Sequence, residues 1–376
     1  MHIALLADGL WLNQELPLLG SLVQGLTGQG VQVTLITGQS SRETASALEW
    51  PVTGLSFPDS RWARSRRGHV ADLARPLRPA AVDVIHALSG ALWEGAVDLA
   101  QALGAATVLA AYASDDLPHH DRLWPALPPD SRLAVAAASV PLVEALRRQA
   151  GPRISVEWLP PGLARSAAPA VQGPPPQAPT APPATDPSAR TVCLGVAASG
   201  LVDGHLMSAL QGLRRVCEAH PDLQLFFDTG GDDPHGLWLT LTELGLSRCA
   251  NLVPQRPQRG NLLLSADALL YPQPLGRVRS LLLGALARGQ PLLAGADPWL
   301  DCLIPDETAW VIHHPAAGIW HETLEHLIAQ PEAAGQLGQR ARAWICRHDR
   351  PADQTTRLLD LYQRLTPRTI PFPAVR

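Results

Sequence analysis

The residues best equipped for chemistry lie in LGRVRS, residues 275–280, where a glycine, two arginines and a serine run into the apolar stretch LLLGALAR. Gly276 precedes the predicted start of a helix. The next backbone N–H groups, the guanidiniums of Arg277 and Arg279 and the hydroxyl of Ser280 can therefore converge on one anion. Phosphate is the natural guest, because arginine binds it in a bidentate manner. The plain alternative is two solvated arginines on the first turn of a surface helix. His86 in VDVIHAL, and Tyr112 with Asp115 in TVLAAYASDD, fall at predicted strand ends, where ligands gather in alternating α/β proteins. They are the candidates for catalysis, against the alternatives of a histidine satisfied by the backbone and a capped turn. His119, His120 and Asp121, and the pair His313 and His314, lack a four-ligand spacing. Adjacent side chains on a strand point to opposite faces, so no metal and no other cofactor is expected.

Composition narrows the chemistry further. All thirty basic residues of the 376 are arginine, since the sequence has no lysine. That excludes a Walker-type phosphate loop, a Schiff-base enzyme and any mechanism with a lysine base. The formal charge of −4 offers no field to collect nucleic acid, so none is expected as a partner. With 46% hydrophobic and 17% charged residues the chain can build sizeable cores and reads as soluble. Its apolar runs are too short to span a bilayer, and the first carries Asp8 with no basic leader, so neither a membrane helix nor a secretory leader is read. Five scattered cysteines, Cys193, Cys217, Cys249, Cys302 and Cys346, suit free thiols in a reducing cytoplasm. There is no Gly-x-Gly-x-x-Gly after a strand and no nucleophile elbow, which disfavours dinucleotide oxidoreductases and hydrolases.

The elements that must position these residues alternate. HIALLAD, VQVTLIT, VDVIHAL, TVLAAY, RLAVAA and ISVEWLP read as strands in the first half, with helices over ELPLLGSLVQGLTGQG, residues 91–103 and a segment ending near Gly151. In the second half TVCLGVA, LQLFFDT, NLVPQ, ADALLYP, PLLAG and AWVIHH read as strands, and residues 204–220, 236–246 and 278–289 as helices. Continuous apolar strands between helices predict parallel sheets covered on both faces. Eight prolines in residues 165–190 mark an extended linker. The expected organisation is a Rossmann-like domain over 1–164, the linker over 165–190, a second Rossmann-like domain over 191–350, and a helix over 351–376 crossing back to the first.

The order of these segments resembles the GT-B glycosyltransferases, in particular the retaining family-four type that use nucleotide-sugar donors. ADALLYPQPLGRVRSLLLGALARGQPLLAG is similar to the family segment in which a strand, a Glu-Gly-Phe-Gly loop and a Glu-Ala-Met-Ala-x-Gly-x-Pro-Val helix follow one another. IPDETAWVIHHP resembles its acidic loop and strand, VDVIHALSG its Asp-Val-Ile-His-Ala-His, and WLPPGL its Leu-Pro-Asn-Gly before the interdomain crossing. The resemblance spans nearly the whole chain outside the linker. It implies an α/β GT-B fold of two doubly wound domains facing across a cleft, a nucleotide-sugar donor bound by the second domain, and a carbohydrate or lipid-linked acceptor on the first.

Residue by residue the match is incomplete. The family's paired glutamates, eight positions apart, fall on Gly276 and Gly284, and its basic pair for the diphosphate on about Ser199 and Asp203. Its histidine falls on Tyr112, with Asp115 retained, and its first-loop glycines on Asn13, Gln14 and Glu15. Arg256 and Arg259, in PQRPQRG, fall where the family has its base-binding loop, against the alternative of a flexible basic loop. The resemblance thus implies a donor diphosphate held by Gly276, Arg277, Arg279 and Ser280 without a metal. Two readings compete: transfer of a sugar to an acceptor, or a silent GT-B module that binds a sugar, a nucleotide or a partner glycosyltransferase. Six arginines with Trp62 in residues 61–78 raise a peripheral membrane contact through Arg61, Trp62, Arg64, Arg66 and Arg67, against the alternative of a solvated connection.

Overall fold

In the computed structural model the described residues are 1–41, 50–57, 66–119, 123–128, 131–150, 154–163, 191–228, 233–253, 262–348 and 351–366. The linker, Arg61, Trp62, Arg64, His120, Asp121, Arg256 and Arg259 lie outside them.

The expected pair of doubly wound α/β sheets is present. The first has seven parallel strands in the order β3-β2-β1-β4-β5-β6-β7, and the second six in the order β10-β9-β8-β11-β12-β13. The strands of the first are β1 (His2–Ala7), β2 (Gln32–Gly38), β3 (Thr53–Phe57), β4 (Val84–Ala87), β5 (Ala106–Ala111), β6 (Leu133–Ala137) and β7 (Ser155–Trp158). Those of the second are β8 (Cys193–Ala197), β9 (Gln224–Asp228), β10 (Ala250–Val253), β11 (Ala268–Tyr271), β12 (Leu292–Gly295) and β13 (Trp310–Ile312). Every residue of β1, β4, β5 and β6 is buried, as helices on both faces require.

The helices of the first half are α1 (Gly9–Gln14), α2 (Leu16–Gly28), α3 (Arg66–Leu77), α4 (Trp93–Leu103) and α5 (Val140–Ala150). Those of the second are α6 (Gly204–Ala219), α7 (Pro234–Glu243), α8 (Ser280–Arg288), α9 (Ala317–Ala329), α10 (Pro331–His348) and α11 (Pro351–Leu365). Strand β3 and helices α1 and α3 were not expected from the sequence. β3 is a short edge strand with an exposed start, and α3 has a weak apolar stripe amid arginines, so neither carries a clear periodic signal. Arg66 and Arg67 open α3, and its buried Val70, Leu73, Ala74 and Leu77 pack in the cluster that includes α4. That apolar face is covered within the protein.

One hydrophobic cluster crosses between the two halves. It runs from Trp11, Leu12 and Leu19 through Tyr112 to Leu281, Leu282 and Leu286 of α8, and on to Leu358 and Tyr362 of α11. Helix α11 lies against α2, β5 and β6 of the first sheet. Each fully buried leucine in such a cluster contributes roughly 1.5–3 kcal/mol, so the two halves are joined by core rather than by surface contact.

Candidate functional site

Glu15 sits at the junction of α1 and α2, where the chain turns between two helices with a single residue to spare. Its own N–H donates to the carbonyl of Trp11 and its carbonyl accepts from Leu19, while Pro17 occupies the first turn of α2. This tight corner carries the carboxylate out of the first half and onto the start of α8 in the second. Glu15 Oε2 accepts a 2.6 Å hydrogen bond from the backbone N–H of Ser280, and the Ser280 hydroxyl donates to the carbonyl of Gln14 at 3.1 Å.

Arg279, the residue preceding α8, lies between two carboxylates. Its Nη2 donates to Asp228 Oδ2 at 2.8 Å, and its Nε stands 3.7 Å from Glu15 Oε1. All three side chains are buried, with exposures of 4% or less. Burial pushes the Glu15 carboxyl above the usual glutamate range, against the opposing pull of Arg279, the Ser280 N–H and Arg277. Burial alone would loosen the proton on Arg279; Asp228 and Glu15 reverse this and raise its pKa. A helix N-terminus with an arginine beside it is an anion site. Here the anion is a side chain of the same molecule.

A second helix start is closed in the reciprocal sense. Asp301, in the loop after β12, accepts a 2.8 Å hydrogen bond from the N–H of Val140, the first residue of α5. Each half thus supplies a carboxylate to the N-terminus of a helix in the other. Between these two contacts the backbones join directly. Ser114 N–H donates to Gly276 O at 2.8 Å, Val278 N–H donates to Tyr112 O at 3.0 Å, and Ala113 and Arg277 form an antiparallel bridge.

Gly276 and Gly284 are enclosed. Gly276 has φ +60°, its N–H donates to Asp297 at 2.7 Å, and an added Cβ would lie 2.2 Å from the hydroxyl of Ser114. At Gly284 a Cβ would come within 2.9 Å of Leu264, with Leu163 beyond it at 3.8 Å. The remaining aligned positions serve the local backbone. Ser199 donates through its N–H and hydroxyl to Gln273 Oε1, and Asp203 caps α6 by accepting from Leu206 N–H.

Of the phosphate candidates, Gly276, Arg277, Arg279 and Ser280 are brought together. Arg277 is half-buried and acts on the charges of both Glu15 and Asp116. The catalytic candidates are not brought together. His86 is buried with its Nδ1 2.6 Å from Tyr362 Oη, and burial drops its pKa to about 3. Tyr112 is buried against Trp11, its ring centroid 4.7 Å away, and its hydroxyl bonds the side chain of Gln354. Asp115 is exposed, whereas its neighbour Asp116 accepts from the N–H groups of Gly90, Tyr112 and Ala113. His313 and His314 are exposed, and His119 packs on Gly90. Among the described residues no group of three His, Cys, Asp or Glu could hold a metal ion. Nor is any described helix long and apolar enough to cross a membrane.

The residues that sequence reasoning passed over are Asp228, Asp301, Gln273 and the role of Glu15. A lone carboxylate between apolar runs, as Glu15 is between Leu12 and Leu16 and Asp228 after LQLFF, was the available signal.

Two parallel sheets of seven and six strands, meeting at the carboxyl ends of their strands, define the GT-B fold. The chain is similar over 97% of its length to the sucrose-phosphate synthase of Thermosynechococcus elongatus, 99% of which is covered, with 15% identity and a TM-score of 0.71. It is similar to HepE of Anabaena, solved in complex with UDP-glucose, over 97% of this chain and 100% of that one, with 13% identity and a TM-score of 0.69. A glycosyltransferase from Rickettsia africae is similar over 97% and 98%, with 13% identity and a TM-score of 0.68. No family model and no curated protein matches the sequence.

Proposed function

We propose that this protein is a GT-B module that does not transfer sugar, and that its own Glu15 holds the place a nucleotide-sugar diphosphate would take. The observation that carries this reading is the 2.6 Å bond from the Ser280 N–H to Glu15, with Arg279 shared between Glu15 and Asp228. A diphosphate arriving at Gly276, Arg277, Arg279 and Ser280 would have to displace a buried carboxylate from its ion pair, a loss of about 3–5 kcal/mol. It would find no replacement cation at Ser199 or Asp203. Transition-state stabilisation in a metal-free transfer depends on such groups being free and aimed at the leaving phosphate. The protein then acts by recognition, through a sugar or a partner protein.

The test is thermal unfolding against UDP, GDP, ADP and their sugar conjugates. A ligand at a hundredfold excess over its Kd would add about 2.7 kcal/mol of stability. No shift is expected with any of them. A shift in the native protein would return the chain to the donor-dependent transferases, with Glu15 as a gate instead of a permanent occupant.

A further inference from the structure

Cys217 and Cys249 are 32 positions apart in the chain, yet their sulfurs stand 3.2 Å from each other as free thiols. Cys217 lies in the last turn of α6, and Cys249 ends the turn that leads from α7 into the edge strand β10. The backbone fixes both. Arg248 Nη2 donates to the carbonyl of Cys217 at 3.0 Å, which ties that turn to the end of α6. Cys249 donates its N–H to Leu246 O at 3.0 Å, and its carbonyl accepts from Leu225 N–H at 2.8 Å, which ties it to β9. A disulfide requires the two sulfurs to come closer by only about 1.2 Å.

The surroundings distinguish the two thiols. The hydrogen bond with Cys217 drops the Cys249 thiol to about 7, with burial opposing and Arg248 assisting. The same contact raises Cys217, and burial and Glu218 add to that rise against the pull of Arg248. Cys249 therefore loses its proton first, and the thiolate is the nucleophilic form. The pair lies at the edge of its core. Cys217 is 2% exposed and Cys249 4%, but their chain neighbours Glu218, Ala219 and Arg248 are exposed. Burial of this depth turns away a bulky reagent and selects a small neutral one.

We propose that Cys217 and Cys249 form a dithiol site that hydrogen peroxide oxidises to a disulfide, with Cys249 as the attacking sulfur and Cys217 as the resolving one. The Cys249 thiolate attacks one peroxide oxygen and the O–O bond breaks. The other oxygen leaves as hydroxide and becomes water with the proton that Cys249 released. Cys249 is then a sulfenic acid. The Cys217 sulfur, already in contact, attacks the Cys249 sulfur; the S–O bond breaks, and the departing hydroxide takes the Cys217 proton as a second water. Two thiols lose two electrons, and one peroxide gains them. The new bond joins the end of α6 to the start of β10. No residue of the Glu15 junction takes part, so the site stands whether or not the donor position is silent.

The test is titration of the full-length protein with hydrogen peroxide, then denaturation, alkylation of the remaining thiols and peptide mapping by mass spectrometry. The main oxidised product should be a peptide cross-linked through Cys217 and Cys249 and lighter by two hydrogens, with Cys193, Cys302 and Cys346 alkylated. Dithiothreitol should restore both thiols. Cys217→Ala should stop at the Cys249 sulfenic acid, which dimedone traps, whereas Cys249→Ala should slow oxidation at Cys217 by about tenfold or more. Circular dichroism checks that each variant is folded, and the cross-link in the parent requires no variant. Cys217 and Cys249 both alkylated after other cysteines have been oxidised, dimedone on Cys217 in place of Cys249, or a cross-link formed by glutathione disulfide and not by peroxide would each overturn the proposal.

Discussion

Glu15 and Ser280, 265 positions apart, are joined by a 2.6 Å hydrogen bond from the Ser280 N–H to the Glu15 carboxylate. This contact closes the N-terminus of α8 from the opposite half of the molecule and makes a buried ion pair with Arg279 part of the junction between the sheets. A buried charge pair is weak evidence for stability by itself, because desolvation opposes the attraction. Its value here is specificity: it fixes where α8 meets the α1–α2 corner.

Removing one partner exposes that dependence. Glu15→Ala should destabilise the protein by about 3–5 kcal/mol, since it leaves Arg279 half-paired and the Ser280 N–H buried without an acceptor. Glu15→Gln keeps an acceptor for that N–H and should cost less. Urea unfolding of the two variants beside the parent checks the order; a loss under about 1 kcal/mol for the alanine variant would show that the contact does not hold the halves together.

Restoring the missing carboxylates should fail. Gly276→Glu must adopt φ +60°, a conformation that costs L-residues about 1–2 kcal/mol, and its Cβ would meet the Ser114 hydroxyl at 2.2 Å. Gly284→Glu would press on Leu264. Both variants should melt below the parent and gain no sugar transfer from nucleotide donors. A double variant of parental stability would mean that the cleft opens freely.

His86 gives the protein an acid limit. Its pKa falls from 6.5 to about 3 on burial, so the unfolded chain takes up a proton that the folded one refuses. Stability from this group is complete above pH 6.5 and declines as pH falls toward 3, by about 1.4 kcal/mol per pH unit. His86→Leu should flatten that slope even if the unpaired Tyr362 hydroxyl lowers stability overall. Parallel slopes for parent and variant between pH 4 and 6 would refute the assignment.

Glu15 acts in the opposite direction. Its folded pKa lies above the ordinary 4.5, so its contribution is fully present below pH 4.5 and is lost as pH rises through the folded value. The stability difference between parent and Glu15→Gln should therefore grow in favour of the parent as the solution is acidified toward pH 4.5. Chemical denaturation at a series of pH values reads the sign, and a difference that shrinks on acidification would contradict a buried, proton-favouring Glu15.

Much of the architecture was legible because it is written locally. Runs such as HIALLA, VIHA, ALLY and LLAG are apolar throughout, a pattern that only a strand buried on both faces explains when helical periods flank it. The edge strand β3 and the arginine-rich α3 escaped notice because half of each faces water and their apolar stripes are short. LGRVRS was recognisable as an anion site for the same local reason: a glycine, cations and a helix start are consecutive in the chain.

What the sequence by itself determined is this inventory: two parallel α/β sheets, no lysine, and a helix start just after Gly276 with arginines beside it. Whether that helix start is open was decided only in the tertiary structure. Glu15 belongs to a corner of the first sheet's helices and Ser280 to the second sheet, and no local pattern couples residues 265 positions apart. Packing of Trp11, Tyr112 and Leu282 in one core brings them together and removes water from between them, and in that dry setting the carboxylate turns to Arg279 and the Ser280 N–H, with Arg277 acting on its charge.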